Sequence, residues 1–201
     1  MFVVNADQRD SRSNVDLVPE AAALVERLGG DRLTLPVQRN AGDELQSLTA
    51  SAAAALDISL ELLRDGRWSV GLGVGAIETP LPTDIRAARG EVFVLARDAV
   101  ERAKSAHGRI AVSSADSVAA DDSEAYLRLL VDLRDRRSEQ GWEVADLLAQ
   151  GLTQKRIAGR LGISPTAVSL RAKAAGLRLE EAAIPALVRT LERLDRSSDG
   201  P

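Results

Sequence analysis

The segment Leu152–Gly176, LTQKRIAGRLGISPTAVSLRAKAAG, constrains this chain more than any other stretch, because it reads as two helices joined by a tight turn. Ala158 is the small residue where the two helices touch. Gly162 supplies the left-handed turn between them, and Val168 plugs the second helix onto the first. Gaps of four and then six residues place all three on one shared interface, and Ile157, Leu161 and Ile163 complete its apolar side at helical spacing. Ser164 followed by Pro165 marks a helix start. The serine hydroxyl caps free backbone N–H groups, and proline takes the first helical position, where its missing N–H costs nothing.

An ordinary helical hairpin in a bundle can also turn on a glycine, and charge separates the two readings. Lys155, Arg156, Arg160, Arg171, Lys173 and Arg178 fall between Gly151 and Arg178 with no acid among them, a net of +6 in a chain whose total is −4. A basic island in an acidic protein is the footprint of a phosphate-contacting surface, and a helix-turn-helix lays its second helix in the DNA major groove. The stretch from Trp142, WEVADLLAQGLTQKRIAGRLGISPTAVS, resembles the helix-turn-helix of LuxR-type response regulators and of sigma factor region 4. The resemblance implies that Ser164, Thr166, Ala167, Ser169, Leu170 and Lys173 face double-stranded DNA. It also places Thr153, Gln154 and Lys155 near a phosphate at the first helix's N-terminus, where free N–H groups and the helix dipole favour an anion. Arg171, counted with these DNA-binding residues, stands where the family usually has an apolar residue, which puts the rotation or the end of the recognition helix in question. Serine and threonine read bases permissively, so no target sequence follows.

Outside this segment, composition sets bounds. A length of 201 residues accommodates one large domain or two small ones, and a 45% hydrophobic fraction suffices for packed cores. Only five residues are aromatic, so those cores must be built from Ala, Leu and Val. The chain has no cysteine, which excludes a disulfide framework and a thiolate zinc site and fits a reducing cytoplasm. The N-terminal MFVVNADQRDSR turns polar too soon for a signal peptide, and no apolar run reaches the roughly 18 residues needed to span a bilayer. The expectation is a soluble bacterial cytoplasmic protein with no membrane partner. The AADDSE run at Ala119–Ser123 marks a boundary between a domain at 1–119 and a second at 123–201.

The first of these domains alternates strand and helix signals. Phe2–Ala6 is an apolar strand, and Leu17–Leu28 repeats apolar residues at helical spacing until Gly29 and Gly30 stop it. Arg32–Gln38 and Asp43–Leu48 read as strands flanking the turn Arg39-Asn40-Ala41-Gly42. An Ala-rich helix follows at Ser51–Arg64, then a strand at Trp68–Ile77, a helix at Gly90–Ala106 and a last strand at Arg109–Ser113. The predicted class is α+β: a ferredoxin-like βαββαβ core extended by αβ, followed by an all-α helix-turn-helix domain. In that core the first and third strands are neighbours, so Asp7, past the first, and Asp43, past the hairpin turn, meet at one sheet edge with Glu44 close by. Paired carboxylates beside a tight turn suit Mg²⁺, which takes one or two of them plus phosphate oxygens. Aspartates that merely begin or end surface strands would look the same.

Five segments in order extend the reading. VVNADQRDSR, RNAGDELQSL, WSVGLGVGAIETP, RGEVFVLARDAVERAK and GRIAVSSAD resemble the catalytic domain of class III nucleotidyl cyclases and, more distantly, the GGDEF domain of diguanylate cyclases. The resemblance covers about the first 115 residues. It implies a cyclase-like domain that binds a purine nucleotide, cyclic forms included, through Asp7, Asp43, Glu44, Gly73 and Arg97, with Mg²⁺ held by Asp7 and Asp43. It also implies head-to-tail pairing and hence a homodimer. The departures bear on catalysis. The family's asparagine position falls on Val94 and its arginine position on Asp98, with Arg97 one residue away, and no counterpart of the base-reading lysine is found. Phosphoryl chemistry rests on such groups, so their loss favours ligand binding over turnover.

Other features carry less. The glycines at 71, 73 and 75 lie within a strand, which argues against a dinucleotide fingerprint and for close approach of a ligand or another backbone. His107 falls at a helix end, where it supports the dipole. Arg9, Arg12, Arg86, Arg89 and Arg97 are candidate phosphate clamps. Tyr126, Leu129, Leu130 and Leu133 form one apolar stripe. Leu179, Ala183, Leu187, Leu191 and Leu194 form another, interrupted by Pro185; the first serves as a connector or a dimer helix, the second as a closing or a dimer helix. The composite expectation is a dimeric transcriptional regulator whose nucleotide ligand modulates DNA binding. An active cyclase controlled by a DNA-binding half, and a regulator whose first domain is only a dimerisation scaffold, remain the alternatives.

Overall fold

The computed structural model describes residues 1–198 other than Arg12, Asn14 and Ala41, with the backbone alone at Ser198. Arg12, among the candidate phosphate clamps, and Ala41, in the hairpin turn, therefore lie outside the described residues. By its internal contacts the chain divides into one unit of Met1–Arg128 with Leu187–Pro201 and a second of Leu129–Ala186.

The first unit is α+β. Its elements are β1 (Phe2–Gln8), α1 (Val18–Gly29), β2 (Leu33–Arg39), β3 (Glu44–Thr49), α2 (Ala52–Leu63), β4 (Trp68–Val74), α3 (Glu91–Ala103) and β5 (Ile110–Ser113). They build one five-stranded sheet in the order β2-β3-β1-β4-β5, antiparallel except for the β4–β5 pair. Strand alternation sorts the side chains. Val3, Asn5 and Asp7 of β1 share a face with Leu48 and Gln46 of β3 and with Gly73, Gly71 and Ser69 of β4. This is the face that α3 covers, since Val3 and Leu48 cluster with Val92 and Ala96. Phe2, Val4, Leu45, Val70 and Leu72 are buried on the opposite face, where α1 and α2 pack.

Local chemistry accounts for the boundaries. Ser51 caps α2, its hydroxyl accepting from the N–H of Ala54 at 3.2 Å. Gly90 begins α3 at φ 144°, where a Cβ would collide with the carbonyl of Ala76. Pro36 sits on β2, an edge strand whose register shifts around it, as a residue without an N–H requires. The outer edges are closed by side chains: Glu26 accepts from the N–H of Val37 at 2.7 Å, and buried Glu124 accepts from the N–H of Val112 at 2.8 Å. Closing an edge in this way removes a template for pairing with another chain.

The longer helices depart from the sequence reading. α4 (Ser117–Asp135) runs unbroken through Ala119–Ser123, where a boundary was expected, and the contact division falls after Arg128. Its buried side carries Ala120, Ser123, Glu124, Leu127, Leu130, Val131 and Arg134, whereas Tyr126 and Leu129 are exposed. The predicted Tyr126–Leu133 stripe is thus split, because buried polar residues disguise the true inward face. α8 (Leu177–Ser198) continues through Pro185. Leu187, Leu191 and Leu194 are buried in the first unit, Leu179 is exposed, and Asp195 pairs with the N-terminal ammonium of Met1.

The second unit holds α5 (Glu139–Ala149), α6 (Gln154–Leu161) and α7 (Pro165–Ala174) around Val144, Leu147, Ile157, Ala158 and Val168. Among the described residues no helix is long and apolar enough to cross a membrane.

Candidate functional site

Two places combine exposed polar chemistry with a fixed backbone. The first is the end of β1. Asp7 pairs in register with Glu44 of β3, and the N–H of Gln8 donates to the carbonyl of Asp43 at 3.1 Å, so the hairpin brings both aspartates to one end of the sheet. The loop after β1 is held by Gln8, whose buried amide donates to the carbonyl of Val15 at 2.7 Å and accepts from the N–H of Leu17 at 2.9 Å. Together they form a cavity of about 490 Å³ lined by Asp7, Arg9, Asp10, Ser11, Ser13, Asp43, Lys104 and Arg109, among others.

Charges in this cavity are matched. Lys104, at the C-terminal end of α3, holds its ammonium 3.1 Å from Asp7 and 2.7 Å from Glu101. Burial pushes the Asp7 carboxyl above its ordinary value. Lys104 opposes that shift, and Asp43 and Glu101 add to it. Burial would lower the Lys104 ammonium, but its contacts with Glu101 and Asp7 hold it above its ordinary value. Arg109 donates from Nη2 to Ser69 Oγ at 2.8 Å, while its buried Nε finds no partner among the described residues.

The predicted nucleotide residues separate here. Asp7 and Asp43 line the cavity. Glu44 turns into the hairpin instead, where Oε2 accepts from Asn40 Nδ2 at 2.8 Å. Gly73 faces α3 instead. A Cβ there would lie 2.5 Å from the backbone of Val92 and Ala96, so this glycine and Gly71 admit the backbone of α3 and no ligand. Arg97 is exposed on α3 and does not line the cavity. Asp98, at the family's arginine position, accepts from Ser113 Oγ at 3.0 Å. Nor does the donor set fit a resident Mg²⁺. The Asp7 carboxylate already faces an ammonium, two guanidinium side chains share the cavity, and no group of three metal-ligating side chains forms among the described residues. Sequence reasoning missed Lys104, Asp10 and Arg109. A lysine at a helix end gives no signal until the sheet places it beside Asp7.

The second place is the surface of α6 and α7. Gly162 adopts φ 66°, ψ 29° between them, Ala158 and Val168 are buried against each other's helices, and the caps are those expected. Thr153 Oγ1 accepts from the N–H of Arg156 at 3.4 Å, and Ser164 Oγ accepts from the N–H of Ala167 at 3.1 Å. With Val168, Ala172 and Ala175 turned inward, Thr166, Ser169, Leu170 and Lys173 form an exposed stripe at helical spacing. Leu170 is 61% exposed despite its apolar side chain. Gln154 and Arg178 join Ser169 and Lys173 around a groove of about 460 Å³. Lys155 is exposed on the first turn of α6. Ala167 is half-buried, and Arg171 turns away from the stripe toward Glu143 of α5 at 3.4 Å.

An unforeseen cluster fixes α7 from below. The Arg137 side chain is 1% exposed. Its Nε donates to the carbonyl of Ala175 at 3.0 Å, its guanidinium stacks 4.3 Å from the centre of the Trp142 ring, and it pairs with Glu180. Arg134 contacts the same ring at 4.9 Å and the same carboxylate. Burial would raise the Glu180 carboxyl, but the hydrogen bond from Arg137 and the two guanidinium charges outweigh it and hold it below its ordinary value.

No family model matches the chain. No curated protein matches it either. Among solved structures, the crystal structure of a regulator of polyketide synthase expression from Bifidobacterium adolescentis is similar over 99% of this chain and 81% of that one, at 16% identity and a TM-score of 0.27. A likeness this slight carries no argument about fold or function.

Proposed function

We propose that the chain is a DNA-binding transcriptional regulator, working as a homodimer. Its α+β unit is read as ferredoxin-like and cyclase-like and binds a purine nucleotide at the Asp7–Asp43 cavity, which modulates DNA binding. The helix-turn-helix of α6 and α7 supplies the DNA contacts. One observation carries this reading: the exposed Thr166, Ser169, Leu170 and Lys173 stripe lies on a capped helix, locked by Val168, within a segment that has six cations and no acid. Lysine and arginine there would neutralise phosphates and release counterions, which sets affinity and its salt dependence. The side chains of the stripe would meet base edges. Homodimerisation follows from the small area of one such unit, since two half-sites gather enough contacts for specific binding.

The nucleotide part rests on the cavity's three aspartates, Asp7, Asp10 and Asp43, and its three cations, Arg9, Lys104 and Arg109. Its effect on DNA binding requires that the ligand favour one arrangement of the dimer over another. Turnover is not part of this reading, because Asp98, tied to Ser113, stands where the cyclase family needs a cation.

Fluorescence anisotropy on DNA selected from a random pool tests the DNA half. The double variant Thr166→Ala, Lys173→Ala is expected to weaken binding at least tenfold and to reduce the salt slope by about 1. Undiminished affinity and an unchanged slope would remove α7 as the reading helix.

A further inference from the structure

Asp7 already has its cation. We propose that the Lys104 ammonium stands where a divalent metal would stand beside Asp7 and Asp43, so that the cavity takes a phosphorylated ligand directly on Lys104, Arg9 and Arg109. The ligand half of this inference rests on the nucleotide reading above. The metal half rests on the geometry alone.

Three observations converge. Lys104 is held in place from both ends. Its ammonium lies between Asp7 and Glu101, and its helix cannot slide, because the backbone of α3 lies directly on Gly71 and Gly73. A helix C-terminus also favours a cation, so the lysine is supported by its own element. Next, the carboxylates are already engaged. Glu44 is drawn to Asn40, and a metal at Asp7 and Asp43 would have to displace Lys104 and share the cavity with Arg9 and Arg109. Hard divalent ions bind where oxygen donors converge, and cations are the wrong neighbours for one. Finally, the cavity has donors to offer an anion. Arg109 Nε is buried without a partner among the described residues, and the cavity is lined by Arg109 and by Arg9, whose Nη1 also donates to the carbonyl of Gly66 at 2.7 Å. A buried donor left without an acceptor is costly, and an incoming phosphate oxygen answers it after a small side-chain shift. On binding, the phosphate takes over Lys104 from Asp7, one charge-assisted contact replacing another. Lysine is suited to that exchange, being a compact charge on a flexible stem.

The test begins with Mn²⁺ alone, followed by electron paramagnetic resonance of the free ion. The full chain is expected to bind no Mn²⁺ at equimolar concentrations. Lys104→Ala and Lys104→Met, each checked by thermal unfolding, are expected to gain one site at least tenfold tighter than any in the wild type, and Asp43→Asn should abolish that gain. Wild-type binding as tight as that of the variants would overturn the proposal, and so would folded variants that gain nothing. Titration calorimetry with ATP and with GTP, in EDTA and in Mg²⁺, tests the ligand. Affinity is expected to be no weaker in EDTA than in Mg²⁺, to fall at least tenfold in Lys104→Met, and to hold or tighten in Asp7→Asn. A nucleotide that binds only with Mg²⁺ overturns this inference but leaves the nucleotide-sensing reading intact. Binding in neither medium overturns that reading, and the Mn²⁺ result still decides the role of Lys104.

Discussion

The cavity at the end of β1 and the stripe on α7 use opposite arrangements of charge. In the cavity, Arg9, Lys104 and Arg109 face Asp7, Asp10 and Asp43, and Lys104 is explicitly paired. Around α6 and α7 the six cations from Lys155 to Arg178 have no acid within their own segment, and most are exposed. A balanced cluster suits a small ligand that exchanges one partner for another without a large change in field. An unbalanced surface suits a polyanion, whose binding is driven by counterion release. The difference also shows in what holds each place. Glycine-to-backbone contact fixes α3 above the sheet, whereas a buried ion cluster fixes α7.

That contrast can be broken by removing each support in turn. Arg137→Ala leaves Glu180 half-satisfied and frees the carbonyl of Ala175, so it is expected to destabilise the second unit by about 3–5 kcal/mol, the cost of breaking a buried pair. Chemical unfolding followed by tryptophan fluorescence measures it, because Trp142 reports on the second unit and Trp68 on the first. Trp142 should unfold well before Trp68. Coincident transitions would mean that the ion cluster is not what holds α7.

In the first unit the corresponding change is Gly71→Ala, whose added methyl overlaps the backbone nitrogen of Val100. Overpacking against backbone costs about 1–3 kcal/mol. The loss should appear at Trp68, and Lys104 should be displaced from Asp7. Retention of full stability would show that α3 can lift off β4.

The smallest effect is in pH, and here Glu180 and Asp7 should act in opposite directions. Glu180 is held below its ordinary value in the folded chain, so its contribution is complete above the unfolded value of 4.5 and disappears as pH falls through the lower folded value. Asp7 is raised above its ordinary value of 3.8. Its contribution is present below 3.8 and is lost as pH rises through the folded value. Acidification should therefore remove the contribution of Glu180 in the second unit and relieve the cost at Asp7 in the first, where Asp16 and Asp84, held below their ordinary value by hydrogen bonds from Arg39 and Arg86, act in the opposite sense. Asp7→Asn should reduce the relief seen at Trp68, and Glu180→Gln should reduce the loss seen at Trp142. Variants that leave the two profiles unchanged would contradict the assignment.

Asp7 also shows why a raised carboxyl is worth noticing. A group whose ionisation costs stability persists where it serves a ligand, although structural ion clusters can shift such groups as well. The strand that carries it was legible from its apolar run, and its neighbour β3 followed from the order of elements. Glu44 and Gly73 were singled out for their chemistry while their direction was unknown. Asn40 claims the first, and the backbone of α3 covers the second.

The stretch from Thr153 to Ala174 was legible almost residue by residue, because its signals are local. A capping hydroxyl, a left-handed glycine and an apolar spacing act within one or two turns of helix and are written in consecutive residues. The inward face of α4 was not legible, since Ser123, Glu124 and Arg134 break the apolar pattern; Ser123 donates to the carbonyl of Ala119 one turn back, whereas Glu124 and Arg134 are buried because distant groups satisfy them. Lys104 beside Asp7, and Arg137 beneath Ala175, join residues 97 and 38 positions apart. By itself the sequence determined where helices start, where they turn and which strands are apolar. The tertiary structure decided which charges meet, because a pairing across the sheet or between helices has no period in the chain and exists only once packing brings its two ends together.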